Sequence, residues 1–139
     1  MIHTKSELNE YILADKKALR IKRKFPKIWG SEIWKFQICL RKLEYYVSFG
    51  KIKKILYAPV ILFNKYRFHK LSVCMCLYIP REVFGKGLSI AHYGNIVVNH
   101  AARVGENCRI HEGVTIGSTN GSAKAPQIGN NVFIGTGAR

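Results

Sequence analysis

The sequence has 139 residues, 47% of them apolar, and carries 23 Lys and Arg residues against 8 acidic ones. This length suits one domain, or a small helical domain joined to part of another, and the apolar fraction allows a sizeable core. Most of the excess positive charge lies in residues 1–72. It predicts an acidic partner, an anionic membrane surface or simple solubility, and it does not bear on the fold.

The sequence argues against a transmembrane segment, a signal peptide and a cysteine metal site. The longest apolar run, residues 55–63, contains Pro59 and is too short to span a bilayer. Charges recur every few positions from Lys5 to Lys24, which leaves no apolar segment for a signal peptide. The four cysteines form no CxxC pair and no zinc spacing, so we expect reduced thiols and no metal site in a cytoplasmic protein.

Two amphipathic helices are predicted in the first fifty residues. Thr4 or Ser6 can cap a first helix over residues 4–19, and Glu7 follows Thr4 at the spacing of a capping box. A second helix is expected from Ser31, as its cap, to about residue 47, because apolar residues recur there at helical spacing.

The segments around and after these helices are less regular. We interpret the basic cluster at residues 20–27 as a solvated loop or, alternatively, as a contact with an anionic surface. A third helical segment is predicted over residues 51–71, kinked or split at Pro59. Residues 73–80 are predicted to be extended, which places a domain boundary near residue 72.

From residue 84 onward, apolar residues recur six positions apart, often with glycine one place later. They are Phe84, Ile90, Val98, Val104, Ile110, Ile116, Ile128 and Ile134. A strand repeats every two residues and a helix every 3.6, so this period indicates a β-solenoid whose stacked coils share an aliphatic core. We therefore predict an α+β chain with a helical domain over 1–72 and an incomplete hexapeptide-repeat solenoid over 73–139.

Two irregularities interrupt the repeat. The step from Ile90 to Val98 is eight residues, and the extra residues fall at 92–94. Because a packed core has no room for an insertion, this segment must bulge outward, which makes it a candidate site. The step from Ile116 to Ile128 is twelve residues, and residues 118–125 have the composition of a looped-out segment.

The segment from Gly87 to Asn99, followed by the segment from Ile110 to Gly117, resembles the hexapeptide-repeat acyltransferases. Within them it is similar to the serine acetyltransferase-like group, which includes surface-polysaccharide O-acetyltransferases. The resemblance implies a left-handed parallel β-helix, a homotrimer or dimer of trimers with active sites between neighbouring solenoids, and acetyl-CoA as donor. The family's solenoid continues further, whereas this chain ends inside a coil, so we expect a fragment or a truncated protein.

His92 is the candidate catalytic base. Acyl transfer to a hydroxyl needs a group that takes the proton as the oxygen attacks the thioester, and histidine titrates near neutral pH. In the resembled family, the histidine at this motif position activates the acceptor hydroxyl for direct attack on acetyl-CoA. The residues alone also allow a structural or merely exposed histidine.

The resemblance also assigns candidate binding residues. Coenzyme A would lie along the coils against the backbone of small residues, although these are equally ordinary corner residues; they are Gly117, Ser118, Thr119, Gly135 and Thr136. The candidate substrate-binding residues are Tyr93, His111 and Lys124, and for the last two a solvated surface position is the alternative.

Two departures from the family's pattern leave the acceptor open. The acidic residue that precedes the motif histidine in serine acetyltransferases is Ala91 here, and their Arg-His pair is Lys124-Ala125. These differences weaken L-serine as acceptor and favour another hydroxyl, such as that of a sugar in polysaccharide assembly.

Two further function classes compete with the enzyme. One is an inactive, truncated scaffold that oligomerises through its helical domain. The other is a nucleic-acid or membrane binder, suggested by the basic N-terminal half. No recognition motif supports nucleic acid, so we expect no nucleic-acid partner.

Overall fold

The computed structural model describes residues 2–118 and 124–139. Its first half is helical, with α1 at Lys5–Ala18, α2 at Glu32–Val47, α3 at Lys51–Leu56 and α4 at Ala58–Met75. The capping box predicted for α1 is confirmed. The Thr4 hydroxyl accepts from the Glu7 backbone N–H at 3.1 Å, and the Glu7 carboxylate accepts from the Thr4 backbone N–H at 3.0 Å.

Three details at the helix ends differ from the sequence prediction. Ser31 precedes α2 in a left-handed conformation, and its side chain accepts no capping bond from the described helix; the Glu32 carboxylate instead accepts from the Gly30 N–H at 2.9 Å. The split before α4 falls at Tyr57, because Pro59 is tolerated in a first helical turn.

The third difference concerns residues 73–76, which are not extended as predicted. Helix α4 continues through Met75 and ends at Cys76, whose left-handed φ of 53° turns the chain out of the helix. The extended backbone begins only at Leu77. The boundary predicted near residue 72 therefore lies within α4.

The second half consists of eight short parallel strands. They are β1 at Leu77–Tyr78, β2 at Ser89–Ile90, β3 at Ile96–Val98, β4 at Arg103–Val104, β5 at Arg109–Ile110, β6 at Thr115–Ile116, β7 at Gln127–Ile128 and β8 at Phe133–Ile134. They form three sheets with the orders β1-β3-β6, β2-β5-β8 and β4-β7. Neighbouring strands in a sheet are three strands apart in sequence except β1 and β3, between which the bridge from Phe84 to Val104 stands in for a strand. The chain therefore winds through the three sheets in turn, as the six-residue period predicts.

The predicted inward positions are buried. Phe84, Ile90, Val98, Val104, Ile110 and Ile116 all belong to one core cluster, with Ile128 and Ile134 packed against it. Phe36 and Leu40 of α2 lie in the same cluster. Phe36 also stacks on Phe68 of α4 at 4.9 Å between ring centroids. The helices and the coils therefore share one core.

The two irregularities have different outcomes. Ile90 and Val98 are both buried, in different sheets, and His92 and Tyr93 between them are exposed, so the extra residues bulge outward as predicted. The segment predicted to loop out at 118–125 lies mostly outside the described residues. Within residues 2–118 and 124–139, no helix has the length and apolarity needed to cross a bilayer.

Candidate active site

The sheet of β2, β5 and β8 leads into one corner of three successive coils. The register pairs Ile90 with Ile110 and Ile110 with Ile134. His92, Glu112 and Thr136 each follow these residues by two positions, one in each coil. The corner also holds Ala91, His111 and Gly135, one position earlier in each coil. We call this the histidine corner.

Two imidazole rings meet at the histidine corner. His92 is exposed and His111 is half-buried, and their ring centroids lie 5.8 Å apart at an interplanar angle of 68°. His111 is also packed against Phe133 of β8, with 4.9 Å between centroids. The His111 ring is thus held from the next coil, whereas His92 faces solvent, where a substrate can reach it.

Glu112 joins the coils electrostatically. Its carboxylate accepts from the Thr136 hydroxyl at 3.1 Å, and its other oxygen lies 3.8 Å from His111 Nδ1. A hydrogen bond from its own backbone N–H lowers the pKa of Glu112 against the effect of burial, and the Thr136 hydroxyl and the two histidines lower it further. The carboxylate therefore stays ionised at neutral pH and places a negative charge beside both imidazole rings.

Unused hydrogen-bonding capacity is concentrated here. Four buried side-chain polar atoms lack a hydrogen-bond partner among the described residues, and two of them are His111 Nε2 and Glu112 Oε2. A buried polar atom without a partner is costly, so such atoms commonly mark a place where a water or a ligand binds.

His92, His111 and Glu112 are residue types that bind metal ions in proteins. One donor atom from each of His92, His111 and Glu112 lies within 4.8 Å of the others. These are residue types that zinc accepts as ligands, and the expectation that the protein uses no metal stays a prediction.

The candidate coenzyme residues divide between two corners. Gly135 and Thr136 belong to the histidine corner, whereas Gly117 and Ser118 follow β6, at the opposite edge of the sheet β1-β3-β6. The Ser118 hydroxyl accepts from the Asn99 side-chain amide at 3.2 Å. Thr119 lies outside the described residues. Within a single chain, the described candidate coenzyme residues therefore do not all lie at the same corner.

The candidate substrate residues are also separated. Tyr93 is next to His92 and 66% exposed, and His111 lies within the corner. Lys124 is exposed and precedes β7. An open groove of about 820 Å³ runs beside the corner, between α1 and the sheet of β2 and β5. It is lined at one end by Ala91, and its cationic side chains come from Lys17, Arg20 and Arg109.

Sequence reasoning missed Glu112. The signal was available, because Glu112 follows Ile110 by two residues as His92 follows Ile90, and Ile90 pairs with Ile110. Recognising it required following the register across the insertion, and the six-residue period alone does not do that.

Comparisons with known proteins agree with the motif. No protein-family model matches the chain. The serine acetyltransferase of Synechococcus elongatus is 37% identical over 62 residues, which are 43% of this chain and 25% of that protein. That of Staphylococcus xylosus is also 37% identical over 62 residues, covering 43% of this chain and 29% of that protein. The matched part thus spans less than a third of these relatives.

Solved structures resemble nearly the whole chain. The serine acetyltransferase of Neisseria gonorrhoeae has a TM-score of 0.63 at 21% identity, over 96% of this chain and 52% of that one. That of Brucella abortus has a TM-score of 0.59 at 20% identity, over 96% and 54%. The chain spans about half the length of these structures, and the likeness concerns the fold. The resemblance to serine acetyltransferase-like hexapeptide-repeat acyltransferases is confirmed.

Proposed function

We propose that this serine acetyltransferase-like chain is an acetyl-CoA-dependent O-acetyltransferase, or the part of one that carries its base, built on a left-handed β-helix. The observation that carries the proposal is the exposed ring of His92, which lies close to an ionised Glu112 at the corner where the motif resembles that of the relatives. We place the protein in the cytoplasm, as its sequence suggests.

In the proposed reaction His92 acts as the base. It takes the proton of the acceptor hydroxyl while that oxygen bonds to the carbonyl carbon of acetyl-CoA. The carbon–sulfur bond then breaks, and the leaving sulfur takes the proton back from His92. Glu112, with an oxygen within 4.8 Å of a His92 ring nitrogen, stabilises the positive charge that the ring carries between these steps.

Coenzyme A and the assembly belong to the same proposal. Gly135 and Thr136 belong to the histidine corner and present little side-chain bulk, which suits a pantetheine arm lying along the coils. Gly117, Ser118 and Thr119 follow a different strand. A homotrimer or a dimer of trimers, in which one solenoid faces the histidine corner of its neighbour, offers a way to unite the two sets.

The acceptor is L-serine or a sugar hydroxyl. One of the neighbouring structures, from Neisseria gonorrhoeae, is a complex with serine. Ala91 and Ala125 here lack the polar groups that such an amino-acid acceptor would meet in the resembled family. The groove that begins at Ala91 is cationic, with Lys17, Arg20 and Arg109 in its lining. The positive charge of the groove favours the second candidate, here an anionic or phosphorylated sugar, over serine.

The test is thiol release from acetyl-CoA, measured with L-serine and with a panel of sugars and sugar phosphates. His92→Ala is compared with the matched control His100→Ala, an exposed histidine at a different corner. We expect turnover that His92→Ala abolishes and His100→Ala leaves unchanged. The inactive-scaffold alternative predicts no turnover from folded protein, and this outcome would overturn the proposal for residues 1–139.

A further inference from the structure

The segment between α1 and α2 combines positive charge with exposed apolar side chains. We call residues 20–30 the basic linker. It contains five Lys and Arg residues, and no acidic residue occurs between Asp15 and Glu32. Its large apolar side chains are exposed, Phe25 at 71%, Ile28 at 87% and Trp29 at 87%. Exposing an indole and an isoleucine almost fully is costly in water, which points to a surface that covers them.

The basic linker is anchored at both ends. It leaves α1 through Arg20, whose left-handed φ is 56°. Before α2, the Lys35 ammonium donates to the Ile28 carbonyl at 2.6 Å, and the Gly30 N–H donates to Glu32 at 2.9 Å. The backbone on either side of Trp29 is therefore held to α2, and the side chains of Ile28 and Trp29 extend away from the protein.

The same chemistry continues onto the neighbouring helices. Phe25 and Pro26 line a groove together with Asn64 and Arg67 of α4. On α3 and α4 the large apolar side chains that are more than half exposed are Ile52, Ile55, Leu56, Leu62, Phe63, Tyr66 and Val73. Lys and Arg residues are interspersed among them, and no acidic residue occurs between Glu44 and Glu82.

We propose that the basic linker and the exposed side of α3 and α4 form one surface that docks onto an anionic lipid bilayer. Lys and Arg near such a surface are attracted by its negative potential. Aromatic and aliphatic side chains beside them enter the boundary between headgroups and acyl chains. Long basic side chains reach the phosphate layer while their aliphatic parts stay apolar.

A second copy of this chain does not supply the complementary charge. Seven of the eight carboxylates already have partners within the chain: Glu7 and Glu32 at backbone amides, Glu10 and Glu106 at Lys86, Asp15 and Glu44 at Arg41, and Glu112 at Thr136. Two such surfaces facing each other would bring cations together, and like charges repel.

Nucleic acid shares the negative charge but not the apolar character. Interfaces with nucleic acid are more polar than ordinary protein interfaces. This surface instead exposes Ile28, Ile52 and Ile55, whose aliphatic side chains make no favourable contact with a phosphate backbone. The apolar fraction therefore favours the bilayer.

The test uses sedimentation with vesicles of phosphatidylcholine, alone or with about 30% phosphatidylserine, at two salt concentrations. We expect partition onto the anionic vesicles to exceed that onto the neutral ones by about tenfold or more. The pair Lys22→Glu and Lys24→Glu should abolish the difference. The pair Lys5→Glu and Arg139→Glu, which makes the same change in net charge away from this surface, should preserve most of it.

Trp29 reports insertion directly. The other tryptophan, Trp34, is 3% exposed. In a Trp34→Phe variant Trp29 is the one remaining tryptophan, so its fluorescence can be measured by itself. We expect its emission to shift to shorter wavelength with anionic vesicles and to be quenched by brominated lipid. Trp29→Ser with Ile28→Ser should weaken binding, and Tyr78→Ser, which removes an exposed aromatic ring from the solenoid, should not.

Three outcomes would overturn the proposal. One is equal binding to neutral and anionic vesicles, or none to either. The second is that the Ile28 and Trp29 changes alter the oligomeric state in solution, which would assign the surface to a second copy. The third is tighter binding to duplex DNA than to anionic vesicles. None of these readouts depends on acetyl transfer.

Discussion

The Arg41 guanidinium lies 2.8 Å from the Asp15 carboxylate, with both side chains almost completely buried. Burial raises the pKa of Asp15, and the charge of Arg41 opposes that rise. Burial likewise opposes the charge on Arg41, but Asp15 and Glu44 raise its pKa above the ordinary value. The charge of Asp15 is therefore stabilised by Arg41, and the charge of Arg41 by Asp15 and Glu44 together.

This pair ties both helices to the first coil. Further hydrogen bonds of Arg41 and Asp15 reach the solenoid, and one more joins Arg41 to Glu44 within α2. Arg41 donates to the Phe84 and Gly85 carbonyls and to Glu44, and Asp15 accepts from the N–H groups of Gly87 and Leu88. The polar network thus fixes where the solenoid begins relative to α1 and α2.

Removing one member of the pair should be strongly destabilising. Asp15→Ala leaves a buried guanidinium and two buried amides without their acceptor, and we expect a loss of about 3–5 kcal/mol in the free energy of unfolding. Urea denaturation measures it. Glu10→Gln, at an exposed ion pair with Lys86, is the control and should cost less than about 1 kcal/mol. Similar losses in the two variants would contradict the buried network.

Gly105 and Gly129 occupy equivalent corners one coil apart, and they should respond differently to alanine. A Cβ on Gly105 would lie 2.7 Å from the Gly129 carbonyl carbon and 2.8 Å from the Asn130 nitrogen, so the backbone must shift. A Cβ on Gly129 meets no described atom within 4 Å. We expect Gly105→Ala to lower the melting temperature by the equivalent of about 1–3 kcal/mol and Gly129→Ala to leave it nearly unchanged. Equal effects would mean that the coils stack differently.

The sequence was sufficient for most of the fold because the repeat has a physical cause. Each inward residue in a stacked coil must be apolar, so the six-residue spacing predicts the burial of Ile110 and Val98. Helix ends were less predictable. The left-handed Cys76 that ends α4 is not a residue type typical of helix ends, and Ser31 occupies the position before α2 without making the predicted side-chain cap.

The site was predictable only in part, for a related reason. The motif made His92 the candidate base, but its neighbours come from other coils, and their identity depends on how many residues each coil contains. The network around Arg41 was also missed. A buried arginine has the same sequence signature as a solvated one until its partners, Asp15 and Glu44, are known to converge.

The cysteines should divide into two reactive and two protected thiols. Burial raises the pKa of Cys108 to about 11 and also raises that of Cys39, so both remain protonated and enclosed. Cys74 and Cys76 are exposed. Because the thiolate is the reactive form, iodoacetamide at mildly alkaline pH should label Cys74 and Cys76 first and the other two only after unfolding. Peptide mass spectrometry reads the sites, and early labelling of Cys108 would contradict the packed core.

Glu112 should act on the reaction through His92, if the proposed function holds. Replacing it by Gln keeps the shape and the acceptor for the Thr136 hydroxyl but removes the charge beside the ring. The protonated ring formed during transfer is then less stable, so kcat should fall by about tenfold while KM changes little.

The comparison of kcat with stability separates a role in catalysis from a role in folding. The pKa of Glu112 lies below its ordinary value, so the carboxylate is ionised at neutral pH and its charge is present during the reaction. A merely structural Glu112 would lower the melting temperature together with the activity, whereas loss of the charge alone lowers kcat in a protein that melts at the same temperature. Glu106→Gln is the matched control, because Glu106 is an exposed acid near Lys86 at a different corner. If both variants leave kcat unchanged, the charge of Glu112 does not act on His92.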